Sequence, residues 1–412
     1  MVRIELINTG SELLLGRVLN THQQWICRQL ADHGYEVARQ VCVADDGPSI
    51  QAAAGEALGR ADLVLTTGGL GPTSDDITRD LIAELLGRKL ELNRAVLADI
   101  EKYFSDRKRP MPPSTQIQAM VPQGAVVLPN PNGTAPGLAI EVKPNSSWLI
   151  LMPGPPRELR PMFTSTVLPL VQKHFPLEGE FVCRTLHTTG LGESSVEEKI
   201  APPLKELVTA GLQLGYCARI GEVDVRLVAR GKNARDLVNQ AEDIIHSLLG
   251  PLIFAENDNS LESTLVQLLA ARAKTLALAE SCTGGLIANR ITNVPGASAV
   301  LMAGLVTYSN AAKKNFLGVR EETLREHGAV SEAVARQMAE GARERNSVDY
   351  ALAVTGIAGP DGGTEEKPVG TVFIALSSAR GTVVEKRFNP FDRETFKFVT
   401  SQQALDLLRR NL

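Results

Sequence analysis

Ser281 stands at the end of a short apolar run, Thr275-Leu276-Ala277-Leu278-Ala279, within Glu280-Ser281-Cys282-Thr283-Gly284-Gly285, and a helical pattern begins at Leu286. A strand–turn–helix junction gathers hydroxyls and backbone N–H groups at one point, and the helix start adds positive potential there. Glycines at 284 and 285 let a ligand approach the backbone closely. Such a turn can make Ser281 a nucleophile whose tetrahedral oxyanion meets nearby N–H groups. It can equally make Ser281 a plain helix cap. A second junction, Tyr308-Ser309-Asn310-Ala311-Ala312-Lys313, has Asn310 as its expected cap and Lys313 on the first helical turn. A lysine held at a positively polarised helix start loses its proton more easily, and a neutral lysine can serve a serine as general base. A solvated surface lysine is the alternative, and the spacing is not the Ser-x-x-Lys motif. A third loop, Val354-Thr355-Gly356-Ile357-Ala358-Gly359-Pro360-Asp361-Gly362-Gly363, also follows an apolar run. Its backbone donors could cradle a phosphate or ribose, or it could be a surface loop without a ligand.

Two similar places occur near the other end of the chain. Asn8-Thr9-Gly10-Ser11-Glu12 and Thr67-Gly68-Gly69-Leu70-Gly71-Pro72-Thr73-Ser74-Asp75-Asp76 each follow a strand-like run. Small residues and carboxylates at strand ends suit a phosphorylated ligand. Asp45, Asp75 and Asp76 could share a Mg²⁺ with a pyrophosphate; helix capping is the alternative for Asp75 and Asp76. Neither segment is a Walker A loop or a dinucleotide fingerprint.

The elements that must position these residues alternate. Strand-like Ile4–Ile7, Val37–Val43 and Asp62–Leu65 are separated by helical patterns over 20–33 and 48–58, and another helix follows over 77–86. Later runs at 125–128, 138–142 and 148–152 lead to a helix from Pro156 to about Val171. This pattern predicts an α/β fold, a mostly parallel, doubly wound sheet covered on both faces. A junction near Lys173–Gly179 leads to a small α+β unit with strands at 183–188 and 224–229 and helices at 194–200 and 234–249. A second α/β pattern starts after the polar stretch Glu256–Ser260. The domains are therefore expected at 1–172, 173–256 and 257–412.

The chain of 412 residues carries 43 basic and 47 acidic residues, for a net charge of −4, without a concentrated basic face. Nucleic acid is not an expected partner. Five dispersed cysteines form neither a disulfide framework nor a zinc knuckle. The start, Met1 to Glu5, lacks the apolar core of a signal peptide, and no apolar run could span a bilayer. A cytoplasmic protein is expected, with no membrane partner.

Ser281-Cys282-Thr283-Gly284-Gly285, Tyr308-Ser309-Asn310 with Lys313, and Val354-Thr355-Gly356-Ile357-Ala358-Gly359-Pro360 together resemble the signature of the CinA family C-terminal domain. The resemblance implies an amidohydrolase that converts nicotinamide mononucleotide (NMN) to nicotinate mononucleotide and ammonia, with no cofactor in that domain. It implies Ser281 as nucleophile, Lys313 and Tyr308 as proton-handling partners, and Thr355 in the active site. Thr283, Gly284, Gly285, Asn310, Gly356 and Gly359 would line the substrate site. Ser298 and Arg393 match the remaining polar positions, with Arg393 on the 5′-phosphate. The N-terminal blocks, with Pro131-Asn132-Gly133-Thr134-Ala135-Pro136-Gly137 and Met152-Pro153-Gly154-Pro155-Pro156-Arg157-Glu158, resemble the molybdopterin-binding fold of the same family. This implies an ADP-ribose pyrophosphatase using Mg²⁺ or Co²⁺. Gly10, Glu12, Gly68, Gly69 and Gly71 would then line the pocket, and Asp45 and Asp76 would hold the metal. The middle unit resembles the family's KH-like domain, but Gly190-Leu191-Gly192-Glu193 lacks the G-x-x-G spacing. A homodimer is implied as well. A non-catalytic nucleotide- or pterin-binding protein, acting in DNA uptake or damage response, is the rival reading.

Overall fold

Along Leu276-Ala277-Leu278-Ala279 the large and small apolar residues alternate, and the same holds for Ala351-Leu352-Ala353-Val354. Alternate side chains point to opposite faces of a strand, so these runs prescribe a sheet with one bulky face and one shallow face. The computed structural model, which describes residues 2–142 and 147–412, shows this arrangement. Leu276, Leu278, Leu352, Val354, Val372 and Ile374 pack against the helices Leu261–Ala271, Leu286–Thr292 and Arg393–Asn411. Ala277, Ala279, Ala351, Ala353 and Ala375 face the helix Glu332–Asn346 through Val334, Ala335, Met338, Ala339 and Ala342. Small residues on both sides let that helix lie close. A Cβ at Gly341 would sit 1.8 Å from the Leu317 carbonyl oxygen, so only glycine fits there.

This C-terminal sheet has the order Leu301–Val306, Leu276–Glu280, Tyr350–Gly356, Thr371–Ser378, Gly381–Phe388. The first three strands are parallel, so the carboxyl ends that carry Ser281, Thr307 and Thr355 share one edge. The last two are antiparallel. The KH-like unit is a four-stranded sheet ordered Gln213–Arg219, Glu222–Arg230, Phe181–Thr189, Ile253–Glu256, with helices Glu193–Thr209 and Ala234–Leu249. Two of its strands, Gln213–Arg219 and Ile253–Glu256, lie outside the elements expected from the sequence. The helix expected over 194–200 runs on to Thr209 through Pro202 and Pro203, and Gly192 precedes its first turn.

The N-terminal sheet is ordered Val37–Val43, Ile4–Thr9, Leu63–Thr67, Ser147–Met152, Gly137–Val142, Val126–Leu128. Its first four strands are parallel and its last two antiparallel. Ile4, Leu6, Leu63 and Leu65 pack on one face with Ile26, Leu30 and Phe163, while Ile7 and Val64 pack on the other with Ala54, Ile82 and Ile100. Both faces are covered, as expected of a doubly wound sheet. Helix Arg94–Asp106 and the short ladder between Leu90–Leu92 and Met120–Pro122 are further elements outside those expected from the sequence. Met1, part of the expected strand entry, lies outside the described residues. By contacts the chain divides into two compact units, Met1–Cys183 and Arg184–Leu412.

Candidate active sites

Lys313 reaches inward from the helix Asn310–Leu317. Its Nζ donates to Ser281 Oγ (2.9 Å), to the Thr307 carbonyl (3.0 Å) and to the Tyr308 carbonyl (3.3 Å). Its side chain is only 1% exposed. Among the described residues no carboxylate lies within ion-pair distance of it. Burial therefore holds the Lys313 ammonium below the ordinary lysine pKa. The helix start is closed by Ser309, whose hydroxyl accepts from Ala312 N–H, and not by Asn310, which is the first helical residue and exposed. Ser309 takes the role because its extended backbone (φ −90°, ψ 160°) aims its oxygen back at the turn.

The Ser281 turn is built differently from what the sequence leads one to expect. Glu280, 1% exposed, turns its carboxylate onto the helix that follows. Its Oε2 accepts from Gly285 N–H (3.0 Å) and Ile287 N–H (3.1 Å), and its Oε1 from Ala288 N–H (2.8 Å). The positive helix start is thus occupied by an internal carboxylate and is not free for a ligand. Ser281 is no cap: its hydroxyl meets Lys313. Among the described residues the Cys282 and Thr283 N–H groups of this turn have no oxygen partner, and both lie beside the Cys282 sulfur. Two fully buried hydroxyls, Thr283 Oγ1 and Thr307 Oγ1, also lack partners among the described residues. Cys282 beside the serine is no rival nucleophile, since burial pushes its thiol up to about 12.

The third loop joins the site through Arg393. Its Nη1 donates to the Gly359 carbonyl (2.8 Å) and its Nη2 to the Tyr308 hydroxyl (2.7 Å). The Tyr308 phenol is therefore engaged by Arg393, and only its backbone carbonyl touches Lys313. Thr355 is buried, and its hydroxyl donates to the Ala329 carbonyl (2.8 Å), which ties the loop ahead of Ser331 to the strand end. Gly356 packs too tightly for any side chain, since a Cβ would come 2.9 Å from the Thr371 carbonyl oxygen. Ser298 is not brought to this group. It is exposed in the short turn Ala297–Ala299 ahead of the edge strand, at the opposite end of the sheet from Ser281. Sequence reasoning missed Glu280 and Lys397. The Lys397 ammonium comes within 3.8 Å of where a Cβ on Gly284 would stand. The i, i+4 spacing from Arg393 was the available signal for Lys397.

In the N-terminal unit, Gly10, Glu12, Asp45, Gly68, Gly69, Gly71 and Asp76 all line one cavity of about 580 Å³. Asp45 Oδ2 accepts from Ser11 N–H (2.7 Å) while Ser11 Oγ accepts from Asp45 N–H (3.1 Å), which ties the first loop to the end of the strand Val37–Val43. Asp76 Oδ2 accepts from the Thr73 N–H (3.0 Å) and from its hydroxyl. Neither Asp75 nor Asp76 caps the next helix, which Ile77 precedes without a side-chain bond. Among the described residues no donor reaches the Oδ1 atoms of Asp45 and Asp76. Asp75 lines the same cavity but is exposed. His22 and Gln118 also line it, and His22 Nδ1 and Gln118 Oε1 are buried without partners. Such a polar wall fits a hydrated cation bridged to phosphates, the mode Mg²⁺ favours. Glu193, the acid of the KH-like turn, accepts from Ala218 N–H (3.1 Å) and so serves the sheet.

Comparisons with known proteins find three domain families in order along the chain. Residues 5–173 fit the family described as a probable molybdopterin binding domain, 183–255 the damage-inducible protein CinA KH domain, and 258–412 the CinA C-terminal domain. The chain is 46% identical over 98% of its length to a CinA-like protein of Akkermansia muciniphila, covering 96% of that protein. It is 45% identical to a putative competence-damage inducible protein of Symbiobacterium thermophilum, covering 99% of this chain and 98% of that one. The crystal structure of competence/damage inducible protein CihA from Agrobacterium tumefaciens shares 43% identity at a TM-score of 0.36, covering 36% of this chain and 92% of that one. With a relative this similar over nearly its whole length and all three domain families matched in order, the chain belongs to the CinA family.

Proposed function

We propose that the C-terminal domain hydrolyses the carboxamide of nicotinamide mononucleotide. The observation that carries this reading is the buried contact between Ser281 Oγ and Lys313 Nζ, with no carboxylate beside the lysine. In its neutral form Lys313 accepts the Ser281 proton as Oγ attacks the carboxamide carbon. The Cys282 and Thr283 N–H groups are the available donors for the oxyanion. Lys313 then passes the proton to the departing nitrogen, which leaves as ammonia. Water next attacks the acyl-enzyme, which releases nicotinate mononucleotide and returns the proton to Ser281. Arg393 and Lys397 put two positive charges on the exposed rim for the 5′-phosphate.

The N-terminal domain, on the same proposal, hydrolyses ADP-ribose to AMP and ribose 5-phosphate. Asp45 and Asp76 would hold Mg²⁺ or Co²⁺ through their unpartnered Oδ1 atoms. When bound, the cation supplies positive charge to the pyrophosphate. Glycines 68, 69 and 71 leave backbone exposed beside the ligand. Gly68 (φ +100°) and Gly69 (φ +66°) adopt left-handed conformations, and a Cβ on Gly69 would strike Thr78 Oγ1 at 1.9 Å. Self-association into a homodimer belongs to the same proposal, with sedimentation as its check.

The experiment is product identification. Purified protein is incubated with NMN alone, and separately with ADP-ribose and Mg²⁺ or Co²⁺. Ammonia with nicotinate mononucleotide, and AMP with ribose 5-phosphate, are the expected products. Saturable binding of both compounds without turnover would replace the enzyme reading with that of a binding protein.

A further inference from the structure

Outside both sites, one cluster in the KH-like domain has the chemistry of a metal centre. Glu242 and His246 stand four residues apart on the helix Ala234–Leu249, hence on one face. That face lies one residue beyond the buried stripe of Ala241 and Ile245, so both side chains emerge at the flank of the helix. Glu256 comes from the edge strand Ile253–Glu256, whose register against Phe181–Thr189 shifts between Ile253 and Ala255. Phe254 and Ala255 are both buried, and Glu256 meets the helix flank. One ligand atom from each of Glu242, His246 and Glu256 lies within 4.8 Å of the others. His246 Nε2 is 3.2 Å from Glu256 Oε1. Arg184 approaches Glu242 only to 3.7 Å, and its Nε is buried without a hydrogen bond. Arg184 and Glu242 thus form an ion pair without a hydrogen bond, and a bound ion would compete with that arginine for the carboxylate.

The geometry points to a site for one divalent first-row transition ion, zinc or cobalt(II) in class, held by Glu242, His246 and Glu256. An imidazole with two carboxylates selects such ions over Mg²⁺ or Ca²⁺. Two carboxylates would balance the charge of a divalent ion. At bond lengths near 2.0–2.1 Å the ligand atoms of a tetrahedral site lie about 3.4 Å apart, within reach of small side-chain rotations here. The ion would pin the last helix of the KH-like domain to the strand that leads into the helix Leu261–Ala271.

Full-length protein, stripped of metal, is titrated with Co²⁺ alone while visible absorption and bound stoichiometry are read. The comparison uses an Asp76→Asn background, which takes the N-terminal cavity out of the count. We expect one Co²⁺ per chain with ligand-field bands that His246→Gln abolishes and Glu242→Gln weakens at least tenfold in affinity. His246 is 41% exposed, so its loss should leave the melting temperature in chelator unchanged. Should that variant not fold, Glu256→Gln reads the same loss. Equal Co²⁺ uptake and equal spectra with and without the substitutions would overturn the assignment.

Discussion

The Ser281 turn and the N-terminal cavity both stand at the carboxyl ends of parallel strands, yet they are prepared in opposite ways. At the Ser281 turn the hydroxyl and the Lys313 amine already touch, 2.9 Å apart, and the surrounding bonds fix them. In the cavity lined by Asp45 and Asp76 each carboxylate spends one oxygen on a loop N–H, Asp45 on Ser11 and Asp76 on Thr73, and the other oxygen accepts no hydrogen bond from the described residues. On the proposed reading the first arrangement would supply a nucleophile and a base from the protein. The second would supply negative charge and a glycine-rich wall to a cation and a phosphate sharing the space. One fold class thus hosts two strategies, and the sites can be broken separately.

The largest effect is expected from Lys313→Met, which keeps the length of the side chain and removes its amine. NMN turnover should fall by at least about 10³-fold, while ADP-ribose hydrolysis is unchanged. In the wild type, burial lowers the Lys313 pKa. Turnover should therefore climb with pH through a midpoint below the free lysine value of about 10.4 and then level off. The same shift makes the domain gain stability as pH rises between those two values, because the unfolded chain binds the proton that the folded lysine lacks. A flat profile over that range would remove Lys313 as base.

Asp76→Asn gives the converse. ADP-ribose hydrolysis should drop by roughly 10²-fold or more, with NMN turnover untouched. Loss of both activities together would show that the sites are not independent. Glu280→Ala sharpens the contrast in stability instead of chemistry. It strands three N–H groups at the start of the helix Leu286–Thr292, two of them on half-buried residues. A loss of about 2–4 kcal/mol is expected, read as a lower denaturation midpoint for the C-terminal unit. Tyr308→Phe should do least. Its phenol bonds to Arg393 and not to the Ser281–Lys313 pair, so a rise in KM of a few-fold with nearly unchanged kcat is expected. A collapse of kcat would place the phenol in the proton path.

Much of the frame was legible because alternation and glycine placement are local signals. Leu276 to Ala279 announces its two-faced strand, and Ser281, Lys313 and Thr355 fall at strand ends as their runs predict. Contacts across long separations were not legible. Glu280 reads as an ordinary acid ahead of a turn, and nothing local says that its carboxylate folds forward onto three N–H groups. Tyr308 reads as a partner of Lys313 because it is five residues away, whereas Arg393, 85 residues on, holds its hydroxyl. Ser298 precedes the edge strand and so falls at the far end of the sheet, a consequence of strand direction that spacing alone does not reveal. Pro202 and Pro203 suggest the end of a helix, yet the helix Glu193–Thr209 continues through them, buried through Val196, Ile200 and Leu204. Tertiary packing outweighs local propensity there.

The account turns on a hydroxyl and a buried amine acting as one unit on an amide. Its most direct test is ammonia release from NMN by Ser281→Ala compared with wild type, at equal protein and with melting curves superimposed. Wild-type release with background-level release from the folded variant is the predicted result. Undiminished ammonia from the alanine variant would contradict it.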